Sequence, residues 1–545
     1  MLIRARLSRP IEHLSLSSPL TVAAFLFLGG VCSIFVGADA NWDLLNYHFY
    51  NPWAWWNAKT FVDFAPAQVQ SYYNPLLDLP FFALIQSNLP TVVVCFLMGF
   101  PFGLAVYFLA RIGKIATEEM RSRVPLIVLV SAVVLAMTGA AGRSQIGSTM
   151  NEWPTSALVL AALFILLRSA SLKGLVTPKA ASYSALLLGG ATGLKLTASV
   201  FAFATFVALV AWLITGHCRL RELILFSCAG VAGFLATYGF WGLQLWSHFR
   251  NPFFPYFNAL FRSPFWEPVN FGDMRFFPKS TLEWIIRPYR IARTNQLATE
   301  LPMRDPRLFL LATVGILLLA IDLPKRFARG KPSTTTTTSG GVPAIAFLSV
   351  FVAISYVAWL KTFSIYRYTI PIESVGSLLV AVGMWRLLVR FGLGTWAFAF
   401  CSLVIVARTR PPDWGRLRVH RGAFFQVMAP TLPRNSMILI LNEEPLGYLV
   451  PFFSGDPVIV RPIANFARPW KTSGLQEQMR ASVRTHVGPM FELQAPGVTH
   501  DDRQSGLDEY GLIQAGGSCG VIRSNLESRL LQLCPLVRAS ETAGR

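Results

Sequence analysis

A chain of 545 residues that is 53% hydrophobic and only 14% charged falls well below the roughly 25% charge of an ordinary soluble domain, which excludes a water-soluble globule. Its formal charge of +20 could suit nucleic acid. Much of the Lys and Arg stands in short loops between apolar runs, however, where it sets orientation and meets anionic lipid, so no nucleic-acid partner is expected.

Apolar stretches of about 17 to 24 residues recur from residue 20 to residue 407, the length a helix needs to cross a hydrocarbon core roughly 30 Å thick. The expected fold is all-α and polytopic, with about eleven transmembrane helices (a range of about 10–13) and a small α/β domain at the C-terminus. Arg4, Arg6 and Arg9 precede the first run, Leu20 to Ala38, so residues 1–19 are predicted to be cytoplasmic. Ala38-Asp39-Ala40 also resembles a signal-peptide cleavage site, but the apolar stretch is long for one and reads as an anchor. Residues 39–90 then form a first outer loop. Within it Leu76 to Ile85 is too short to span and reads as interfacial or re-entrant; a crossing at 75–86 would shift the parity of everything after it.

Thr91 to Ala110 returns inward to Arg111, Lys114, Arg121 and Arg123. Val124 to Ala141 goes out, and Pro154 to Leu167 comes back to Arg168, Lys173 and Lys179. Two spans broken near Gly193-Leu194-Lys195 follow, which places Lys195 near the outer surface. Leu223 to Trp246 opens into a long outer loop, 247–306, and Leu308 to Leu323 leads to a cytoplasmic linker, 324–341, with its Thr334 to Thr338 run. Val342 to Leu360, Thr369 to Leu388 and Gly394 to Ala407 complete the polytopic domain, 20–407. Residues 408–545 are then outside; their arginines would oppose translocation of a short loop, but long domains cross largely regardless of charge. Ser436 to Leu441 and Pro457 to Val460 read as strands of that domain. Five cysteines fall in or beside spans, while Cys519 and Cys534 lie in the tail, where a disulfide is plausible only in an oxidising compartment.

The outer face holds the unusual residues. In the first loop, a helix from Asp43 would put Asp43 and Tyr47 on one face with His48 beside them. The Trp and Tyr residues there also fit an aromatic belt that anchors the loop. Asp39, Asp43, Asp63, Asp78 and Glu152 stand next to hydrocarbon, where a carboxylate is costly unless paired or facing a wet site; Glu152 could equally offset a helix dipole. Lys195, Arg367 and Arg143 oppose the positive-inside expectation and invite an anionic partner such as a lipid phosphate, with Tyr366 and Tyr368 flanking Arg367. Snorkelling to a headgroup is the plainer reading, stronger for Lys195 than for Arg367. The histidines show no metal-ligand spacing and no G-x-x-x-x-G-K-[ST] loop occurs, which argues against a structural zinc and against ATP hydrolysis.

Taken together, Trp42-Asp43, Tyr47-His48, Asn74-Pro75-Leu76, Lys195 and Arg367-Tyr368 resemble the polytopic C-type glycosyltransferases, the superfamily of protein O-mannosyltransferases and lipid A aminoarabinose transferases. The resemblance covers residues 20–407 as an architecture. It implies a bacterial inner (plasma) membrane enzyme that moves a sugar from a polyprenyl-phosphate donor to a glycan, lipid or protein acceptor on the extracytoplasmic face. It implies Asp43 or Asp39 as the catalytic carboxylate, the family's two acids being closer together than these two, and Lys195 and Arg367 as holders of the departing phosphate. His48, Tyr47, Glu152 and Tyr368 would complete the substrate site, and a divalent cation is left open. A lipid-linked saccharide flippase and a surface-polysaccharide polymerase or ligase are the competing classes.

Overall fold

The computed structural model describes residues 16–120, 124–293, 296–328, 343–496 and 500–542. Arg4, Arg6, Arg9, Arg121, Arg123 and the Thr334 to Thr338 run lie outside the described residues.

Seven helical segments are long and apolar enough to cross a membrane, and three shorter apolar helices join them. With Pro178–Leu194, which packs along Leu220–Phe249, the described spans number eleven: α1 Pro19–Val36, α2 Thr91–Glu118, α3 Leu126–Met137, α4 Glu152–Lys173, α5 Pro178–Leu194, α6 Ser199–Ile214, α7 Leu220–Phe249, α8 Arg307–Ala328, α9 Ala344–Thr362, α10 Ile370–Arg390 and α11 Thr395–Arg408. The chain is a multi-pass membrane protein. Leu79–Gln86 is a helix of eight residues, about 12 Å long at 1.5 Å per residue, and does not span.

Small residues let the spans approach. A Cβ on Gly99 would overlap the Gly29 carbonyl, and one on Gly103 the Phe25 carbonyl, so the Gly99-x-x-x-Gly103 stripe of α2 receives α1 backbone to backbone. The first run is thus packed against α2. Just beyond it, Ala38–Asp39 pairs with Arg416–Leu417, which follow α11.

The expected alternation of eleven crossings is visible as contacts. The six segments after α1, α3, α5, α7, α9 and α11 meet on one face: Asp39 binds Thr149, Lys195 binds Met150 and Glu152, Tyr73 meets Tyr256, Asp305 binds Ala140, Arg367 binds Asp43, and Arg416 binds the Ser144 carbonyl. At the other end Glu119, after α2, accepts from the Ile345 amide of α9 at 2.9 Å, and Val176 donates to His217 between α6 and α7.

After α11 the chain forms a mixed sheet from β1 Val427–Met428, β2 Met437–Leu441, β3 Val458–Ile463, β4 Met490–Gln494, β5 Leu512–Gln514, β6 Gly520–Ser524 and β7 Glu527–Arg538. The order is β1-β6-β7-β4-β2-β3, with β5 also on β7. Parallel pairing of β2 with both β3 and β4 needs two crossovers, which run through Gly447–Phe452 from β2 to β3 and through Gly474–Thr485 from β3 to β4. Cys519 and Cys534 are joined in a disulfide.

This domain is docked on the loop between α1 and α2. Phe64 exchanges backbone bonds with Ile459 and Arg461 at 2.8 and 3.0 Å. The buried Arg461 guanidinium donates to Pro66 and Asn442 carbonyls, each at 2.8 Å, and burial pulls it down to about 9. Phe49, Phe81 and Phe82 pack with Phe424, Phe425, Tyr448 and Ile459 in one core. So most of the loop's aromatics serve this interface, while Trp42 and Trp56 stay exposed at 40% and 72%.

Asp63 closes the interface, accepting from the Ile459 amide and the Tyr50 hydroxyl, each at 3.0 Å. Burial pushes its carboxyl up to about 7, against the lowering effect of the Ile459 bond and of Lys59. A folded-state value above the ordinary 3.8 means that the docked form binds the extra proton. The contribution is therefore full below that ordinary value and is lost as pH rises through about 7. Hydrogen-exchange protection of the Phe64 and Arg461 amides is expected to fall between about pH 4 and about pH 7, and Asp63→Asn to flatten that fall. An unchanged profile in the variant would assign the dependence elsewhere.

Candidate active site

The site is built where the six segments converge. Asn41 begins the turn that carries Asp43, its side chain accepting from the Leu44 amide at 2.8 Å. Leu44–His48 is wound as a π-helical turn, wider than the α-helix expected, a local form often found at functional sites. From the turn Tyr366–Thr369 that leads into α10, Arg367 reaches across 324 residues of sequence to donate to Asp43 Oδ2 at 3.0 Å. The two side chains are 17% and 8% exposed, so the pair is neither sealed nor on the open surface.

Around this pair the cations and rings alternate. Arg367 lies 5.2 Å from the Tyr368 ring centroid and 5.8 Å from that of Trp414, and it donates to the Tyr368 hydroxyl at 3.2 Å. Lys195 sits 5.5 Å from the Tyr368 ring, forms an ion pair with Glu152 and donates to the Met150 carbonyl at 2.6 Å. Glu152 is both the first residue of α4 and the Lys195 partner, so its two readings hold together. Arg367 Nε and Glu152 Oε2 are buried without a hydrogen-bond partner.

Asp39 is differently placed. Both of its oxygens accept from Asn41 Nδ2 at 2.7 Å, and Oδ2 also takes the Thr149 amide and hydroxyl at 2.7 Å. Its acceptor capacity is spent on joining two loops, whereas Asp43 is paired with the Arg367 cation.

Tyr47 and His48 stand on the other side of Asp43. Their rings are 4.0 Å apart, and Tyr47 meets Tyr73 edge-on at 5.5 Å. Burial first, then the Asp43 charge, holds the Tyr47 phenol well above its usual range, so it remains a neutral donor. Tyr73 in turn shares a hydroxyl contact with Tyr256 of the long loop. His48 Nδ1 lies 2.7 Å from Asp78 Oδ1, which Asn151 also contacts. A carboxylate accepts only, so Nδ1 carries the proton.

Sequence reasoning missed the scaffold behind Arg367. Glu373, in the first turn of α10, accepts from the Ala141 and Gly142 amides at 2.9 and 3.1 Å, and Asp305 takes the Ala140 amide at 2.8 Å. These two carboxylates start the short helix Ala140–Ser144, after which Gln145 holds the Arg367 carbonyl at 3.0 Å. Arg307 balances the acids through Asp305 at 3.0 Å and is fixed by Thr138 and Thr409. An acid inside the apolar Ile370-Pro371-Ile372-Glu373 stretch was the available signal. Asn74, part of the quoted pattern, donates to the Gly193 and Thr237 carbonyls at 2.9 Å, fixing the break that presents Lys195.

No family model matches the chain, and no curated protein matches it. Among solved structures the chain is similar to the crystal structure of ArnT from Cupriavidus metallidurans bound to undecaprenyl phosphate, at 12% identity, covering 94% of this chain and 97% of that one, with a TM-score of 0.48. A likeness at that level assigns no role to any residue of this chain.

Proposed function

We propose that this chain is a membrane glycosyltransferase that moves one sugar from a polyprenyl-phosphate donor to a hydroxyl of a glycan, lipid or protein acceptor on the extracytoplasmic face. The observation that carries this reading is the Asp43–Arg367 pair at 3.0 Å, a base and a phosphate-binding cation held together at a membrane boundary with Lys195 beside them. In the reaction, the acceptor oxygen attacks the anomeric carbon and gives its proton to Asp43, while the bond from that carbon to the phosphate oxygen breaks. Arg367 and Lys195 receive the departing phosphate. Attack from the face opposite the leaving group inverts the anomeric centre.

Two observations support the assigned side. The Lys- and Arg-rich short loops gather at the end away from the site, and the tail docked over the site carries the Cys519–Cys534 disulfide. A flippase would need charge along the length of its spans; here Asp43, Glu152, Lys195, Asp305, Arg307, Arg367 and Glu373 cluster at one end. A polymerase or ligase would share the chemistry proposed.

A strain lacking the protein is expected to show surface lipids or glycans lighter by one sugar in mass spectrometry, with the lipid-linked sugar accumulating. An unchanged envelope would remove the transferase reading. A reporter fused after residue 420 is expected to read extracytoplasmic, and a cytoplasmic signal there would reverse the orientation.

A further inference from the structure

A second cationic site lies beside the first, at the membrane boundary. Arg304, just ahead of α8, and Arg410, just past α11, exchange backbone bonds at 2.9 and 2.8 Å as an isolated antiparallel bridge. Residues opposed in this way present their side chains on the same face, and like charges there repel. Arg304 Nε donates to the backbone carbonyl of Arg408 at 2.6 Å, so a third arginine stands next to the bridge, as the last residue of α11. Arg408 and Arg410 are exposed. Among the described residues no carboxylate forms an ion pair with any of the three. The neighbouring Asp305 is committed to Arg307 and the Ala140 amide, and Asp413 accepts from the Gly415 amide. Arg143, also exposed, follows on the short helix that starts on Asp305.

Three features make this more than arginines reaching for water. The backbone bridge fixes two guanidinium-bearing residues opposite one another, which a lone snorkelling side chain lacks. The group stands where α8 begins and α11 ends, at headgroup depth. Four residues beyond Arg410, Trp414 packs under Arg367, so the group lies on the same face as the candidate active site.

We propose that Arg304, Arg408 and Arg410 form a binding site for the phosphate of an anionic lipid headgroup in the leaflet on the site's side. Two planar forks on one face can each take two oxygens of one phosphate. The bound charge would relieve the repulsion across the bridge. This assignment does not rest on the transferase reading, because it concerns a separate set of cations.

The test uses the full chain in phosphatidylcholine nanodiscs doped with phosphatidic acid, with bound lipid counted by native mass spectrometry. The wild type is expected to retain phosphatidic acid over phosphatidylcholine, and Arg304→Gln/Arg410→Gln to lose that preference by roughly tenfold. Arg410→Gln alone, which breaks no side-chain bond, is expected to lose part of it and keeps the test open if the double variant misfolds. Arg304→Lys/Arg410→Lys should fall between, since it keeps charge but not the fork. Equal retention by wild type and variants would overturn the site. Displacement of the lipid by millimolar inorganic phosphate would overturn the assignment to a lipid.

Discussion

Asp43→Asn is expected to lower transfer by about 10³-fold or more, within the range for a lost general base, while protein level and insertion stay normal. The amide is nearly the same shape and its oxygen can still accept from Arg367, so the loop should keep its form. What disappears is the negative charge, and two effects then separate. The proton acceptor is gone, so kcat falls. Arg367 is freed from a competing carboxylate, so the lipid donor should bind as tightly as before or more so. Steady-state kinetics with varied donor would show a collapsed kcat and a donor KM that does not rise. Full activity in this variant would strike Asp43 from the mechanism, and a large rise in donor KM would mean that Asp43 positions the donor.

Arg367→Ala is expected to give the opposite split. Losing a charge-assisted phosphate contact should cost donor kcat/KM about 10²-fold or more, with the acceptor KM little changed. Removing one member of a largely buried pair also costs stability, roughly 3–5 kcal/mol in the buried limit, so folded protein must be quantified alongside. Arg367→Lys restores the charge without the fork and should recover part of the donor affinity. Equal losses toward donor and acceptor would show a general collapse of the site.

Much of the membrane architecture was legible because the signal is local: apolar runs of spanning length, punctuated by Lys and Arg. Asp43, Lys195 and Arg367 stood out for a related reason, since charge beside hydrocarbon needs an explanation wherever it occurs. The partners of these residues were not legible. Asn41 ties up Asp39 locally, through both carboxylate oxygens, but the sequence does not show that contact. The rest of the difference comes from Thr149, 110 residues away, which also binds Asp39, while Asp43 meets Arg367. Glu152 and Lys195 were each noticed, but their pairing depends on how α4 and α5 pack. Glu373 was passed over because one acid in an apolar run reads as the start of a span, while its work is to begin another helix. The first loop's aromatics allowed two readings, and the choice depended on the tail having a surface to receive them.

That last arrangement governs when the first loop can be completed during synthesis. Asp63 and its Ile459 partner are separated by 396 positions, so the strip beside the Asp43 turn has no lining until nearly the whole chain has emerged. Phe49 and its neighbours must wait meanwhile at the bilayer surface or with a chaperone. A ribosome that stops short of β3 would leave every span in place and the Asp43 turn without the strands that line it.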